Sequence, residues 1–312
     1  MARTSSLNEF LTDVAESIRT KKGTTDLISP SNFDTEISSI ETGGVSGEVE
    51  VQSNGNAANY AWTYAVTELP KIIVKNQSAR ALNSFFQQYK GETLNLDFSQ
   101  LNQTTNNLTS MFSNCINLKN INGLNTLDTS YVTTLENMFA SCQALETIDL
   151  STFNVSLINN IKGIFYGCSS LKTLDLSSWN ITGANSTYQM FYNCRSLEDL
   201  DISGLDMSRM TQINVMFYNC INLTNLKFGY NLGASYSTTR DENYSYYKLD
   251  LSSSTKLTEE SLISVLNGLA DIATLGIQPQ QCVLGETNLA KLTSEAGQQA
   301  LAQAQAYGWT VS

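Results

Sequence analysis

Histidine is absent from this 312-residue chain, proline occurs three times, and only 15% of the residues are charged. Without histidine there is no imidazole base, no imidazole metal ligand and no Ser-His-Asp or Cys-His nucleophile. Cations are the scarcer charge: Lys+Arg 18 against Asp+Glu 29 leaves a net charge of -11. That excess of carboxylates opposes sequence-independent nucleic-acid binding, which needs a basic face to displace counterions. No run approaches the roughly 18 apolar residues of a membrane span. The opening Met1-Ala2-Arg3-Thr4-Ser5-Ser6 leads into an amphipathic pattern, not a signal-peptide core. The expectation is a chain made in a cytoplasm, without a membrane span. Few charges beside 41% apolar residues do not fit a disordered chain. Walker-type and dinucleotide-type glycine motifs, a G-x-S-x-G elbow and HExxH are all missing. No catalytic residue, cofactor or metal site is expected, and the chain reads as a non-enzyme.

What the chain does have is a repeat. Cys115, Cys142, Cys168, Cys194 and Cys220 are spaced 27, 26, 26 and 26. Each follows a phenylalanine by three residues (Phe112, Phe139, Phe165, Phe191, Phe217) and precedes a leucine by three (Leu118, Leu145, Leu171, Leu197, Leu223). Ile121, Ile148, Leu174, Leu200 and Leu226 form a further column, and Leu101, Leu127, Phe153, Trp179 and Leu205 another. Leu82 and Phe86 fit an earlier, degenerate unit. In each unit Ile158, Ile161, Ile164 and Cys168 recur every three to four residues, which predicts one or two helical turns. Leu171, Leu174 and Leu176 predict a strand with one apolar side. Units this short bury their faces by stacking, with parallel strands about 4.8 Å apart. The expected fold is an α/β solenoid of leucine-rich-repeat-like parallel-strand coils, with a small N-terminal helical segment and an α/β C-terminal cap.

The outward columns fit stacked coils. Lys119, Glu146, Lys172, Glu198 and Thr224 alternate in sign, so neighbours on adjacent coils attract. Asp149, Asp175 and Asp201 would repel one another, so they are expected to accept hydrogen bonds from turn amides or the following Ser/Thr. A calcium ladder is the alternative, without the EF-hand spacing. The cysteine column reads first as packed thiols in a slot too small for leucine. A disulfide is permitted by neighbour distance, but an odd column leaves one thiol over. A metal or redox site would need a converging set, and no CxxC occurs. Cys282, in Cys282-Val283-Leu284, also reads as core.

The phrase Met138-Phe139…Cys142…Leu145…Ile148-Asp149-Leu150-Ser151, repeated over Ile164–Ser177 and Met190–Ser203, resembles the BspA-like leucine-rich-repeat family and its mycoplasma-type relative. The resemblance covers residues 80–230 and implies a solenoid used for binding at cell surfaces. Residues 1–42 read as a helical anchoring or oligomerisation segment. Leu7, Phe10, Leu11, Val14 and Ile18 form one apolar stripe; Phe33, Ile37 and Ile40, after a Ser29-Pro30 helix start, form a second. About 40 residues are too few to fold well alone, so these stripes are expected to make assembly contacts. The wording from Val14 to Gly23 and from Ile28 to Ile40 looks like a segment that opens tail, baseplate and appendage proteins of phages of Gram-positive bacteria. That resemblance implies a virion location, other virion proteins as partners, and a homo-oligomer, with a trimer as one arrangement.

Residues 43–79 read as a glycine joint followed by a β element capping the solenoid's open edge, on the alternation of Glu48–Val51 and Tyr60–Val66, the turn signal Asn54-Gly55, and Leu69–Val74. Residues 231–312 read as a Tyr-rich insertion and a cap. Here Leu249-Asp250-Leu251-Ser252 restores a strand phrase, Thr258 caps a helix through Leu269, a strand passes Cys282, and Ser294 to Tyr307 forms a helix stopped by Gly308. The run from Leu257 to Ser312 resembles the closing segment of phage-borne members of the same repeat family.

Candidate binding residues are tyrosines. Tyr166, Tyr192 and Tyr218 occupy one slot beside the inward Phe and Cys columns and predict an exposed stripe. Tyr236, Tyr244, Tyr246 and Tyr247 form a second cluster. Their partner is either a host-surface polysaccharide or protein, or a sister subunit. The whole reads as a phage tail, baseplate or appendage protein used for host recognition. The alternatives are a bacterial surface adhesin and a virion scaffold without a receptor role.

Overall fold

The computed structural model describes residues 48–52, 71–75, 82–101, 105–210, 212–234 and 248–312. The two N-terminal apolar stripes (Leu7, Phe10, Leu11, Val14, Ile18, Phe33, Ile37, Ile40) lie outside the described residues, as do Tyr236, Tyr244, Tyr246 and Tyr247.

Six stacked coils occupy residues 82–234. Strands β1 (Glu48–Gln52), β2 (Lys71–Lys75), β3 (Thr93–Asp97) and β4 (Asn120–Asn122) form one parallel sheet in sequential order. Strands β5 (Thr173–Asp175), β6 (Asp199–Asp201) and β7 (Asn225–Lys227) form a second, with Leu174, Leu200 and Leu226 in one inward row. β1 and β2 extend the parallel sheet at the first edge of the coils; they run parallel, so they are not the two arms of a tight hairpin.

The ladder breaks between β4 and β5 at an inserted residue. Asn122-Gly123-Leu124 stands where later coils have Asp149-Leu150, Asp175-Leu176 and Asp201-Ile202. Gly123 takes φ 87°, and a Cβ there would lie 1.8 Å from the Leu96 carbonyl oxygen. Only glycine permits that turn.

The predicted helical half is the main correction: among the described residues it contains no helix. Each coil runs instead as overlapping turns with two residues in the left-handed region: Ser84 and Gln88, Ser110 and Asn114, Asn137 and Ser141, Gly163 and Gly167, Gln189 and Asn193, Val215 and Asn219. Amides then alternate in direction. Asn137, Phe139 and Ser141 donate to the next coil's Lys162, Ile164 and Tyr166 carbonyls at 2.9, 2.9 and 2.6 Å. Met138, Ala140 and Cys142 donate back to Leu135, Asn137 and Phe139, closing four-residue turns. A helix would spend every amide inside its own coil; this wall spends half of them binding coil to coil. The period of three to four is shared by both conformations, which is why apolar spacing alone pointed to a helix.

Between turn wall and strand wall lies a continuous core. Phe86, Phe112, Phe139, Phe165, Phe191 and Phe217 are fully buried and stack at 5.5–5.9 Å, with interplanar angles of 2–16°. Such long separations between near-parallel rings are offset stacks, worth about 0.5–1.5 kcal/mol each beyond area burial. The degenerate unit is a full coil: Leu82 and Phe86 are buried, and buried Tyr89 takes the cysteine position.

Helix α1 (Glu259–Asn267) closes the far edge, starting at Thr258, whose hydroxyl accepts the Ser261 amide. It lies on β7, and its serines finish that strand's hydrogen bonding. Ser261 Oγ accepts the Leu226 amide at 2.8 Å and donates to the Thr224 carbonyl at 3.0 Å, and Ser264 Oγ accepts the Phe228 amide at 2.9 Å. Beyond it, β8 (Lys248–Asp250), β9 (Gln280–Val283) and β10 (Trp309–Val311) make a third parallel sheet in the order β10-β9-β8. Short helix α2 (Glu286–Leu289) carries buried Asn288, whose amide donates to the Leu251, Ser254 and Leu284 carbonyls. Helix α3 (Glu295–Ala306) starts at Ser294 and ends before Gly308 at φ 93°.

Candidate functional site

The coils present two unlike walls. On the strand wall the carboxylates are engaged. Asp97, Asp149, Asp175, Asp201 and Asp250 each accept the amide two residues on, from Ser99, Ser151, Ser177, Ser203 and Ser252, at 2.8–3.0 Å. These are Asx turns at one corner of successive coils. Lysines bridge coils: Lys119–Glu92 at 2.8 Å, Lys172–Glu146 at 2.6 Å and Lys227–Asp201 at 2.9 Å. The Lys71 hydrogen bond, with those of Ser99, holds the Asp97 carboxyl down at about 2. The Ser151 amide lowers Asp149, and Lys172 lowers Glu146. Burial pushes Asp201 up, but Ser203 and Lys227 together outweigh it and hold the carboxyl below its ordinary range. Among the described residues, no group of three or more His, Cys, Asp or Glu could hold a metal ion.

The cysteines are free and buried. Each repeat thiol donates to the phenylalanine carbonyl of the preceding coil: Cys115 to Phe86, Cys142 to Phe112, Cys168 to Phe139, Cys194 to Phe165 and Cys220 to Phe191, at 3.0–3.1 Å. Burial pushes Cys168, Cys220 and Cys282 up to about 12. A buried, protonated thiol is a poor nucleophile, so this column is a structural pin.

The outer side of the turn wall holds the predicted tyrosines. Tyr166 and Tyr192 stack at 5.1 Å and 12°, and Tyr192 and Tyr218 at 4.8 Å and 19°. The rings cover one another, so Tyr166 and Tyr192 are half-buried and not exposed as expected, whereas Tyr218 is 51% exposed. The cause lies in the backbone. The carbonyls of all three residues accept amides from the preceding coil, Ser141, Gly167 and Asn193, at 2.6–2.9 Å. Bonds between coils thus set the spacing of the rings. The ladder begins at Tyr166 because the same slot holds Gln87, Ser113 and Ala140 in earlier coils.

Three neighbours were not singled out from sequence. Lys162 Nζ lies 5.1 Å from the centre of the Tyr188 ring, a cation–π contact between adjacent coils. Arg195 is exposed on the other flank of the ladder, and Ile221 is 43% exposed one coil on. All three sit in columns whose residue type changes from coil to coil, so periodicity gave no signal.

Residues 78–228, just under half of the chain, match the model of a family described as "Mycoplasma protein of unknown function, DUF285". No curated protein matches the chain. Among solved structures, a leucine-rich-repeat protein of T. pallidum is similar at 12% identity. The match covers 61% of this chain and 84% of that one, with a TM-score of 0.28. The family match and the periodic, parallel-stranded coils support a repeat fold for the central region. Among the described residues no helix is long and apolar enough to cross a membrane.

Proposed function

We propose that this chain, with its mycoplasma-type repeat region, is a non-catalytic recognition protein of a phage tail, baseplate or appendage. Its N-terminal segment joins it to sister chains or other virion proteins, and its solenoid presents the turn wall to a host-surface polysaccharide or protein. The observation that carries the binding role is the Tyr166–Tyr192–Tyr218 ladder. Tyrosine offers an apolar body with a polar tip and few rotatable bonds, so little entropy is lost on contact. Rings already held in register by backbone bonds lose still less. The virion setting rests on the resemblance of residues 14–40 to the opening segment of such proteins.

The test is competition. Purified full-length chain added in excess to host cells should slow phage adsorption. A triple variant Tyr166→Ala, Tyr192→Ala, Tyr218→Ala with an unchanged unfolding midpoint should lose most of that effect. Undiminished blocking by the triple variant would remove the turn wall from the reading, and no blocking by either would remove host recognition.

A further inference from the structure

The chain's net charge of -11 hides a division between its two walls. On the strand wall of the six coils stand eight carboxylates, Glu92, Asp97, Glu146, Asp149, Asp175, Glu198, Asp199 and Asp201, against Lys119, Lys172 and Lys227. On the turn wall stand Lys90, Lys162 and Arg195 against Glu136, while Asp128, Asp206 and Arg209 lie on the loops that join the two walls. So in a strongly acidic molecule the face with the tyrosine ladder carries the opposite excess. Two of its cations flank the ladder by register: Lys162 precedes Tyr166 by four residues, and Arg195 follows Tyr192 by three. Neither forms a salt bridge among the described residues; Lys162 faces the Tyr188 ring and Arg195 is exposed.

The ring geometry narrows what could lie there. Stacked rings spend their faces on each other, so they offer outward edges and hydroxyls, one per coil at 4.8–5.1 Å. Beside them the amide groups of Asn193 and Asn219 lie 2.7 Å apart on adjacent coils. Base-stacking recognition of single-stranded nucleic acid needs free aromatic faces, which this ladder lacks within its length. A row of phenol and amide groups flanked by cations instead matches hydroxyls and anionic groups recurring along a chain polymer. An anionic polymer approaching the strand wall would meet eight carboxylates; approaching the turn wall it would meet a local positive excess.

We infer that the turn wall binds a linear anionic, hydroxyl-bearing polymer laid along the solenoid axis, with Lys162 and Arg195 taking its charges and the Tyr166–Tyr192–Tyr218 ladder its hydroxyls. The inference rests on the recognition reading above and gives it a ligand class. Uronate polysaccharides and polyol-phosphate polymers share this chemistry.

The experiment is titration of the full-length chain with polygalacturonate, with a glycerol-phosphate oligomer and with neutral dextran, at low and at high salt. Binding of at least one anionic polymer, weakened by salt, with dextran inert, is the expected result; the arm that binds names the source. Lys162→Gln and Arg195→Gln should each weaken binding about fivefold, the upper range for an exposed ion pair. Arg195→Lys should restore most of it, and Lys172→Gln on the strand wall should leave it unchanged. Thermal unfolding of each variant checks that it folds. Equal binding by the Lys162→Gln/Arg195→Gln double variant, equal binding of dextran, or no binding of either anionic polymer overturns the inference. So does tighter binding of a single-stranded dT oligomer, or a dimer by sedimentation that the double variant dissolves, since a second copy's acidic strand wall would then be the occupant. If polymers fail while the chain still blocks adsorption, the recognition reading stands and the ligand class falls.

Discussion

At the scale of single residues, the turn wall is decided by the backbone conformation at two positions per coil. Eleven of these twelve are Ser, Gln, Asn or Gly; the exception is Val215, at φ 53°, the one β-branched residue among them. A left-handed conformation costs an L-residue roughly 1–2 kcal/mol, and branching at Cβ adds to it. Val215 is half-buried, and Asn137 fills the same column three coils earlier. Val215→Asn should therefore stabilise the protein by about 1 kcal/mol, read as a higher urea midpoint with an unchanged slope. An unchanged or lower midpoint would show that Val215 packs well enough to offset its strain. The cysteines give a second prediction. All six are buried and free, so a thiol reagent should label none rapidly in the native state and all six in denaturant. Rapid native labelling of the repeat column would contradict its role as a pin between coils.

At the scale of elements, α1 matters less as a helix than as a lid on a strand edge. An open parallel edge exposes unpaired amides and carbonyls that invite association. Ser261 and Ser264 satisfy that edge from above β7. Ser261→Ala removes the acceptor of the buried Leu226 amide, and an unmet buried donor costs about 1–3 kcal/mol. The expected outcome is that loss in the urea midpoint for Ser261→Ala and a smaller one for Ser264→Ala, whose Phe228 bond is only part-buried. The cap helices were legible in the sequence because their signals are local: Thr258 and Ser294 as caps, Gly308 as a stop. Pairing of α1 with an edge strand was not legible, since nothing near Ser261 in sequence announces Leu226.

At the scale of the whole molecule, charge ladders and buried thiols set opposite limits on pH. Asp97, Asp149, Asp201, Asp250 and Glu146 all have carboxyls held below their ordinary values, Asp97 at about 2. A carboxyl lowered by folding contributes stability above its unfolded value, and that stability is lost as pH falls through the folded one. The urea midpoint should thus drop progressively from about pH 5 towards pH 2. The thiols act in the other direction. Cys168, Cys220 and Cys282 rise from 9.0 to about 12 on folding, so their contribution is complete below 9.0 and is lost as pH climbs towards 12. A plateau between these limbs is expected, and serine at the three thiols should soften the alkaline limb while leaving the acid limb in place.

The sequence by itself determined the number of coils, their register, the inward columns and the capping elements. Each of these repeats at a fixed period or is signalled by residues next to it, and stacking copies the same choice into every coil. Only the tertiary structure decided that the three-to-four spacing is a wall of turns and not a helix. Both place Phe165 and Cys168 inward, and they differ in whether an amide bonds its own coil or the next. The same intercoil bonds brought Tyr166, Tyr192 and Tyr218 into contact and set them on the wall opposite the carboxylates.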